Sequence, residues 1–512
     1  MADGADIDER ADTEHDHGAF LYALTPLMIA AGSADGADAD TLRWLVEHGA
    51  DIHATSRAGV TAAFYAAGDG RQWMFERPDL DDNEYERLRY LLDVGLDPNE
   101  SANNGGTLLL EACNAGNAPR VRLLLDRGLD ASPPPSANQL RVMGRLKLLR
   151  DGDATKESDA PGLAMTTDIP LFCAARSGSA ECVRVLVSAG ADVNATDCFG
   201  SSPLAIAGSR AVAGVLLDYG VDVSAADGLG HDPLHSIVFG DSPSRVRRTP
   251  IDERRAIAKM LVRAGADLEK NDKASPSRLY SAVFGVEAEA VDILLELGAR
   301  VDVRDAEGST LLHAAGWSTD WDLDNCPDEN RETAETHNSE IERIIRSVCD
   351  AGVAVDATDD FGQQPLHEAA GGDGGNATAV SLLLDLGATP NATDKDGQTA
   401  LMFAAQDGNP ACTDLLLRAG ADTELVDRAG HTALEYAKET LAACEAQDRQ
   451  GPEEVSNVLR DSYMEIVREL GVEDSKNFEP PDYAEQMKRH SRERLVAARR
   501  VVALLQNERS GS

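Results

Sequence analysis

Apolar residues follow two short patterns that alternate along this chain. The first is a capping residue, often Pro, and then Leu, as in Thr25-Pro26-Leu27, followed by the pair Ala30-Ala31. The second is a run of Leu and Val that stops at Gly and continues to Asp, as in the sequence LVEHGAD at 45–51. Apolar positions three and four residues apart indicate amphipathic helices. Together the two patterns therefore predict a helical hairpin.

The Gly of the second pattern recurs at a nearly constant interval. Three of its nine successive spacings equal 33 residues, and two more lie within three of that value. A fixed period of this length is typical of stacked repeats, and the four longer spacings indicate inserted residues. The positions of this Gly are 49, 95, 128, 190, 220, 265, 298, 352, 387 and 420.

The first pattern occurs eleven times, and all copies but one have Leu in the third place. Thr or Ser at its start can accept a backbone N–H and cap a helix, and Pro fits the first turn. The Gly after the second helix is suited to a left-handed cap. An Asp-x-x-Gly phrase, as in Asp394 to Gly397, then predicts a turn that reverses the chain.

This combination resembles the ankyrin repeat over about residues 19 to 443 and a final helix. The resemblance implies an all-α fold with short β-turn fingers, an ankyrin-repeat α-solenoid of about eleven repeats and 22 helices in one curved stack. Ile169 and Gln364 replace the capping Thr, and the seventh copy, Ser277-Arg278-Leu279-Tyr280, is degenerate. We expect looser hairpins or weaker joints there.

The repeats divide the chain into segments. The predicted boundaries are an acidic disordered tail at 1–18, repeats 1–3 at 19–132, an insertion at 133–165, repeats 4–10 and the first helix of repeat 11 at 166–443, an insertion with an extra helix at 444–490, and a capping second helix at 491–512. Five insertions separate the two helices of a repeat, near 33–39, 69–84, 241–252, 317–338 and 444–490. We expect these five along one edge of the solenoid. Residues 140–150 form a basic amphipathic pattern that packs on the solenoid or docks a partner.

Composition excludes several function classes. The chain has 89 acidic and 48 basic residues, a formal net charge of −41, which argues against binding nucleic acid or an anionic membrane. The acidic N-terminus resembles no signal peptide, and no apolar run reaches about 18 residues. Eight scattered Cys without CxxC fit reduced thiols. We therefore expect a cytoplasmic protein. Its acidity either steers a basic partner or reflects adaptation to salt or a GC-rich genome.

No catalytic motif is present, so we expect no enzyme and no cofactor. His235, His313 and His367 share one position of the capping phrase. The ankyrin resemblance gives such a His a structural role, bonding to the backbone of the neighbouring finger. The acidic loop 320–328 matches the opening of a calcium loop, but Asn325 and Arg331 replace the required Gly and Glu. A solvated loop without metal is the simpler interpretation. Asn99, Asn194 and Asn391 are expected to stabilise the fingers.

The leading hypothesis is a non-enzymatic, monomeric scaffold that binds a protein partner, possibly basic, on its concave face of fingers and first helices. The alternative is an acidic nucleic-acid mimic that sequesters a basic protein. Three Trp assigned to insertions could anchor a second surface, or pin their loops to the solenoid. The predicted contacts are Phe199, Leu229 and Phe361 at finger tips, Lys395, Asp396, Gln398, Arg428 and His431 on fingers, Gln406 and Asp407 on a first helix, and Trp73, Trp317 and Trp321 in insertions.

Overall fold

The structure is a computed structural model, and its contacts divide the chain into two compact units, Met1–Asp267 (unit 1) and Leu268–Ser512 (unit 2). Each unit is described separately, and the single curved stack expected from the sequence stays a prediction. The described residues are 7–9, 24–32, 39–67, 82–102, 105–133, 169–197, 199–240, 249–270, 276–317, 331–371, 375–450 and 483–511.

The described residues form helices and turns, with two isolated β-bridges and no strand. The helices of unit 1 are α1 (Pro26–Gly32), α2 (Ala39–Glu47), α3 (Ala62–Ala67), α4 (Asp82–Asp93), α5 (Leu108–Asn114), α6 (Ala118–Asp126), α7 (Pro170–Ser177), α8 (Ala180–Ser188), α9 (Arg210–Asp218), α10 (Pro233–Phe239) and α11 (Ile251–Arg263). The helices of unit 2 are α12 (Arg278–Phe284), α13 (Ala288–Glu296), α14 (Leu311–Trp317), α15 (Arg331–Asp350), α16 (Pro365–Gly371), α17 (Ala377–Asp385), α18 (Ala400–Asp407), α19 (Pro410–Arg418), α20 (Ala433–Gln450) and α21 (Tyr483–Gly511).

The helices of each unit pack in two layers. In unit 2 the first helices α12, α14, α16, α18 and α20 contact one another in sequence, and the second helices α13, α15, α17, α19 and α21 do the same. Leu and Ala dominate the buried positions between them, which suits a chain with few aromatic residues. Both units are therefore built as the all-α ankyrin-repeat solenoid that the sequence implied.

Local sequence signals fix the helix ends. The side chains of Thr107, Ser277 and Thr399 each accept a backbone N–H three residues on, at 3.3, 3.1 and 3.4 Å. All ten Gly of the second pattern have positive φ, between 79° and 111°, as expected for left-handed caps. Ile169 makes no side-chain cap, and the Gln364 N–H is donated instead to Nδ1 of His367 at 3.0 Å.

One predicted first helix is absent from unit 1. Pro203 to Ile206 form turns rather than an α-helix, although Leu204 and Ile206 are buried. This repeat has the shortest Gly spacing, 30 residues, so it lacks about one helical turn. Gly208 lets the shortened segment approach its neighbour, because its N–H is donated to Ala175 O at 3.0 Å.

Buried arginines close three first helices of unit 1. Arg87 and Arg120 each donate through Nη1 to a carbonyl, Ala30 O at 3.1 Å and Ala67 O at 3.0 Å, and Arg254 donates through Nε to Ile237 O at 3.0 Å. Each acceptor lies in the last turn of α1, α3 or α10. An insertion follows each of these helices in the sequence, so no tight hairpin turn caps them there. The arginines satisfy carbonyls that would otherwise be buried without partners.

Most inserted residues lie outside the described part of the chain, including the amphipathic pattern at 140–150 and the extra helix predicted at 453–470. The described helix ends are α20 extending to Gln450 and α21 beginning at Tyr483. In the N-terminal segment, the Asp8 carboxylate accepts the Asp51 N–H at 3.0 Å. Of the described helices, none combines the length and the apolar character needed to cross a membrane.

Candidate binding surface of fingers and first helices

Each finger is a five-residue turn built on one Asp. In the finger 394–398, the Asp394 N–H is donated to Gln398 O at 3.0 Å, and Asp394 Oδ1 accepts the N–H groups of Asp396 and Gln398 at 2.9 and 2.8 Å. Gly397 adopts φ +82°, which only Gly takes without strain. An Asp side chain and a Gly three residues on are therefore enough to set the turn. The corresponding Asp residues elsewhere are Asp197, Asp227, Asp305, Asp359 and Asp427.

Neighbouring fingers are joined by backbone hydrogen bonds. In unit 2 the N–H of Asp360 is donated to Glu307 O at 2.9 Å, that of Lys395 to Phe361 O at 3.0 Å, and that of Arg428 to Asp396 O at 2.8 Å. Four fingers, 305–309, 359–363, 394–398 and 427–431, thus form one continuous ladder. In unit 1 the fingers 197–201 and 227–231 are joined in the same way, by Gly228 N–H and Phe199 O at 2.8 Å.

The apolar tip residues differ in exposure. Leu229 is 71% exposed and Phe361 is 53% exposed, whereas Phe199 is half-buried. The carbonyls of Phe199 and Phe361 are used in finger pairing, so these residues are held by backbone contacts. The side chains of Leu229 and Phe361 are therefore displayed on a fixed backbone, as a binding surface requires.

The polar residues predicted on the fingers make contacts within unit 2. Lys395 Nζ donates to Asp360 O, and the exposed Arg428 lies 3.8 Å from the Asp396 carboxylate. Pairs this exposed stabilise the fold little. Gln398 Nε2 donates to the Tyr436 hydroxyl at 2.9 Å. Gln398 is thus tied to the fold more firmly than the exposed residues Lys395, Asp396 and Arg428.

The remaining predicted residues lie at helix ends or outside the described chain. His431 stacks edge-on against the Tyr436 ring with centroids 5.4 Å apart. Gln406 is half-buried and Asp407 is exposed at the end of α18. Trp317 is the last residue of α14 and 51% exposed, so the structure places it on a first helix rather than in an insertion. Trp73 and Trp321 lie outside the described residues.

Two histidines have the structural role that the ankyrin resemblance implied. His313 Nε2 bonds to Gln363 O at 3.0 Å, and His367 Nε2 bonds to Ala392 O at 3.1 Å. Nδ1 of each ring accepts a backbone N–H, so the neutral ring carries its proton on Nε2. Burial lowers the pKa of both residues, which keeps the rings neutral.

Tyr280 and Glu368 are functional candidates that the sequence interpretation missed. The Tyr280 hydroxyl donates to Asp305 Oδ2 at 2.7 Å, as the Tyr436 hydroxyl does to Asp427 Oδ2 at 2.5 Å. Burial would raise the pKa of Asp305, but the bonds from Tyr280 and the finger backbone lower it overall. Burial, and then the charges of nearby carboxylates, raise the pKa of Glu368 on α16 to about 7. The position of Glu368 among finger carboxylates follows from packing and has no local sequence signal.

Metal and redox chemistry find no built site in the described residues. No group of three or more His, Cys, Asp or Glu side chains there is arranged to hold a metal ion. The described cysteines are free, and five of the six, Cys349 excepted, are buried. The acidic loop 320–328 lies outside the described residues, so the calcium alternative stays a prediction.

Comparison with known proteins identifies the repeats. The family described as "Ankyrin repeats (3 copies)" matches residues 144–227 and 366–445, and the family "Ankyrin repeat" matches residues 24–57. Human "Transient receptor potential cation channel subfamily A member 1" is 26% identical over 329 residues, which cover 61% of this chain and 27% of that protein. The chain thus spans about a quarter of the length of this relative. Ankyrin repeats in general are modules of protein–protein interaction.

Proposed function

Because this chain is an ankyrin-repeat protein, we propose that it is a non-enzymatic scaffold that binds a protein partner on its fingers and first helices. The observation that carries the proposal is the finger ladder of unit 2, in which backbone bonds hold Phe361 with half its side chain exposed. Binding to a surface that is already ordered costs little conformational entropy.

Charge on the same ladder supports a basic partner. The four fingers contain the carboxylates Asp305, Glu307, Asp359, Asp360, Asp394, Asp396 and Asp427 against the cations Lys395 and Arg428. Lys395 is bonded to a carbonyl and Arg428 lies near Asp396. The excess negative charge would speed the association of a positively charged protein and oppose that of an acidic one.

The test is purification of partners from the native host with full-length protein as bait. Phe361→Ala and Phe199→Ala should weaken recovery of the specific partner with little change in melting temperature, because tip side chains bury little within the fold. Val496→Ala is the matched control, since Val496 is 64% exposed on α21 and distant in sequence from the fingers. Recovery unchanged by both Phe variants, or lowered equally by Val496→Ala, would refute the finger surface.

A further inference from the structure

Two large aromatic side chains occupy the same position of neighbouring repeats in unit 2. Phe284 ends α12 and Trp317 ends α14, they are 33 residues apart, and they are 55% and 51% exposed. The other residues of α14, Leu311 to Gly316, are buried, so Trp317 is the part of this helix that solvent reaches. Exposed aromatic residues that share one face mark binding surfaces more often than isolated ones do.

The next repeat has Gly371 at the corresponding end of a first helix. A Cβ on Gly371 would lie 2.7 Å from Cδ1 of Phe403, so the half-buried Phe403 ring of α18 lies over the end of α16. The same ring meets His367 edge-on, with centroids 5.7 Å apart. Only Glu368 and Gly371 of α16 are not fully buried. The surface of α16 between the neighbouring aromatic helices is therefore a carboxylate beside a glycine.

Glu368 has no cation to neutralise it. Its carboxylate forms no hydrogen bond or ion pair with any residue in the described part of the chain, although it is half-buried. The groups that act on it are the carboxylates of Asp359, Glu307 and Asp305, and all of them repel its charge. The nearest cation of these fingers, Arg304, donates to Thr358 O at 2.8 Å and to Gly308 O. An uncompensated carboxylate in such surroundings is a place where a cation from outside gains most.

Building on the proposed function, we propose that Phe284, Trp317, Glu368 and Phe403, the aromatic–carboxylate face, bind a cationic amphipathic segment of a partner protein. An Arg or Lys side chain of that segment lies against Glu368, and its apolar side chains lie against the rings. The negative charge selects the cation, and Trp317 adds a ring face that favours cations as well as apolar groups.

Binding at this face is coupled to a proton. Burial and the neighbouring carboxylates raise the pKa of Glu368 to about 7, and a bound cation lowers it. The segment therefore releases a proton when it binds, and its affinity rises as pH increases through 7. Other titratable groups on the packed elements also respond to pH, so the coupling must be read from variants; those groups are Tyr280, Asp305, Glu307, His313, Asp359 and His367.

The experiment is calorimetric titration of the full chain with a synthetic peptide of sequence LRVMGRLKLLR, which has four cationic and several apolar residues. At pH 7, titrations in buffers of different ionisation enthalpy should show release of about half a proton, since the Glu368 carboxyl is about half protonated there. A second peptide with Gln at the four cationic positions should bind at least tenfold more weakly.

Variants separate this face from the rest of the surface. Glu368→Gln should bind the cationic peptide about tenfold more weakly and release no proton at pH 7. Trp317→Ala should also lose about tenfold, whereas Trp44→Ala, which removes a 46% exposed Trp from unit 1, should bind as wild type. Circular dichroism melting of each variant checks that it folds.

The outcomes are distinct from those of the finger experiment. Absence of peptide binding, equal binding of the neutral peptide, or proton release that persists in Glu368→Gln would overturn the aromatic–carboxylate face. If Phe361→Ala still abolishes recovery of the native partner in that case, the scaffold function stands and only the partner chemistry assigned here is wrong.

Discussion

Val286 is held in a backbone conformation that Val rarely adopts, and changing it should reverse the usual preference for Ala over Gly. Its φ is +56°, and it is the sole described residue other than Gly with positive φ. Val286 follows α12 in the hairpin of the degenerate seventh repeat. Other hairpins have Gly in the left-handed conformation at this turn, at Gly116, Gly178 and Gly408.

The magnitude follows from the backbone. A residue with Cβ in the left-handed region costs about 1–2 kcal/mol, and Gly loses roughly 0.5–1 kcal/mol more in unfolded-state entropy than Ala. Val286→Gly should therefore be more stable than Val286→Ala by about 0.5–1 kcal/mol. The control is Ala115→Gly, since Ala115 is exposed with φ −70°, and there Gly should cost about 0.5–1 kcal/mol.

Hydrogen exchange measured by mass spectrometry is the appropriate assay, because repeats open locally rather than all together. Amides of α12 and α13 should exchange about two- to fivefold faster in Val286→Ala than in Val286→Gly. Equal rates, or slower exchange in Val286→Ala, would show that the turn relaxes without strain and would refute the argument.

Three further predictions concern buried charge. Arg254→Met should destabilise the protein by about 2–3 kcal/mol in chemical unfolding, because it leaves the carbonyls at the end of α10 unsatisfied, while Arg255→Met on the same helix should cost less than about 1 kcal/mol. The lowered pKa values of His313 and His367 mean that their stability is complete above about pH 6.5 and lost as pH falls, so His367→Gln should flatten the acid decline of melting temperature. The raised pKa of Glu368 has the opposite sign, with stability lost as pH rises through about 7, so Glu368→Gln should raise the melting temperature at pH 8 more than at pH 5.5.

The sequence by itself determined the features that depend on a few neighbouring residues. Thr399 caps a helix three residues on, Asp394 folds a finger four residues long, and Gly420 ends a helix. Each of these interactions acts within about five residues, so a short pattern specifies it. Their recurrence at 33 residues then predicts that similar hairpins stack and that neighbouring fingers pair.

Only the tertiary structure decided the features that join distant segments. Glu368 meets Asp305 and Glu307, about sixty residues earlier, because an enlarged repeat intervenes between two stacked fingers. Arg87 caps a helix that ends at residue 32, across an insertion that breaks the repeat register. Trp317 was assigned to an insertion from sequence, although its spacing from Phe284 equals the repeat length. Such contacts depend on which helix faces a neighbour after packing, and local propensity carries no information about that.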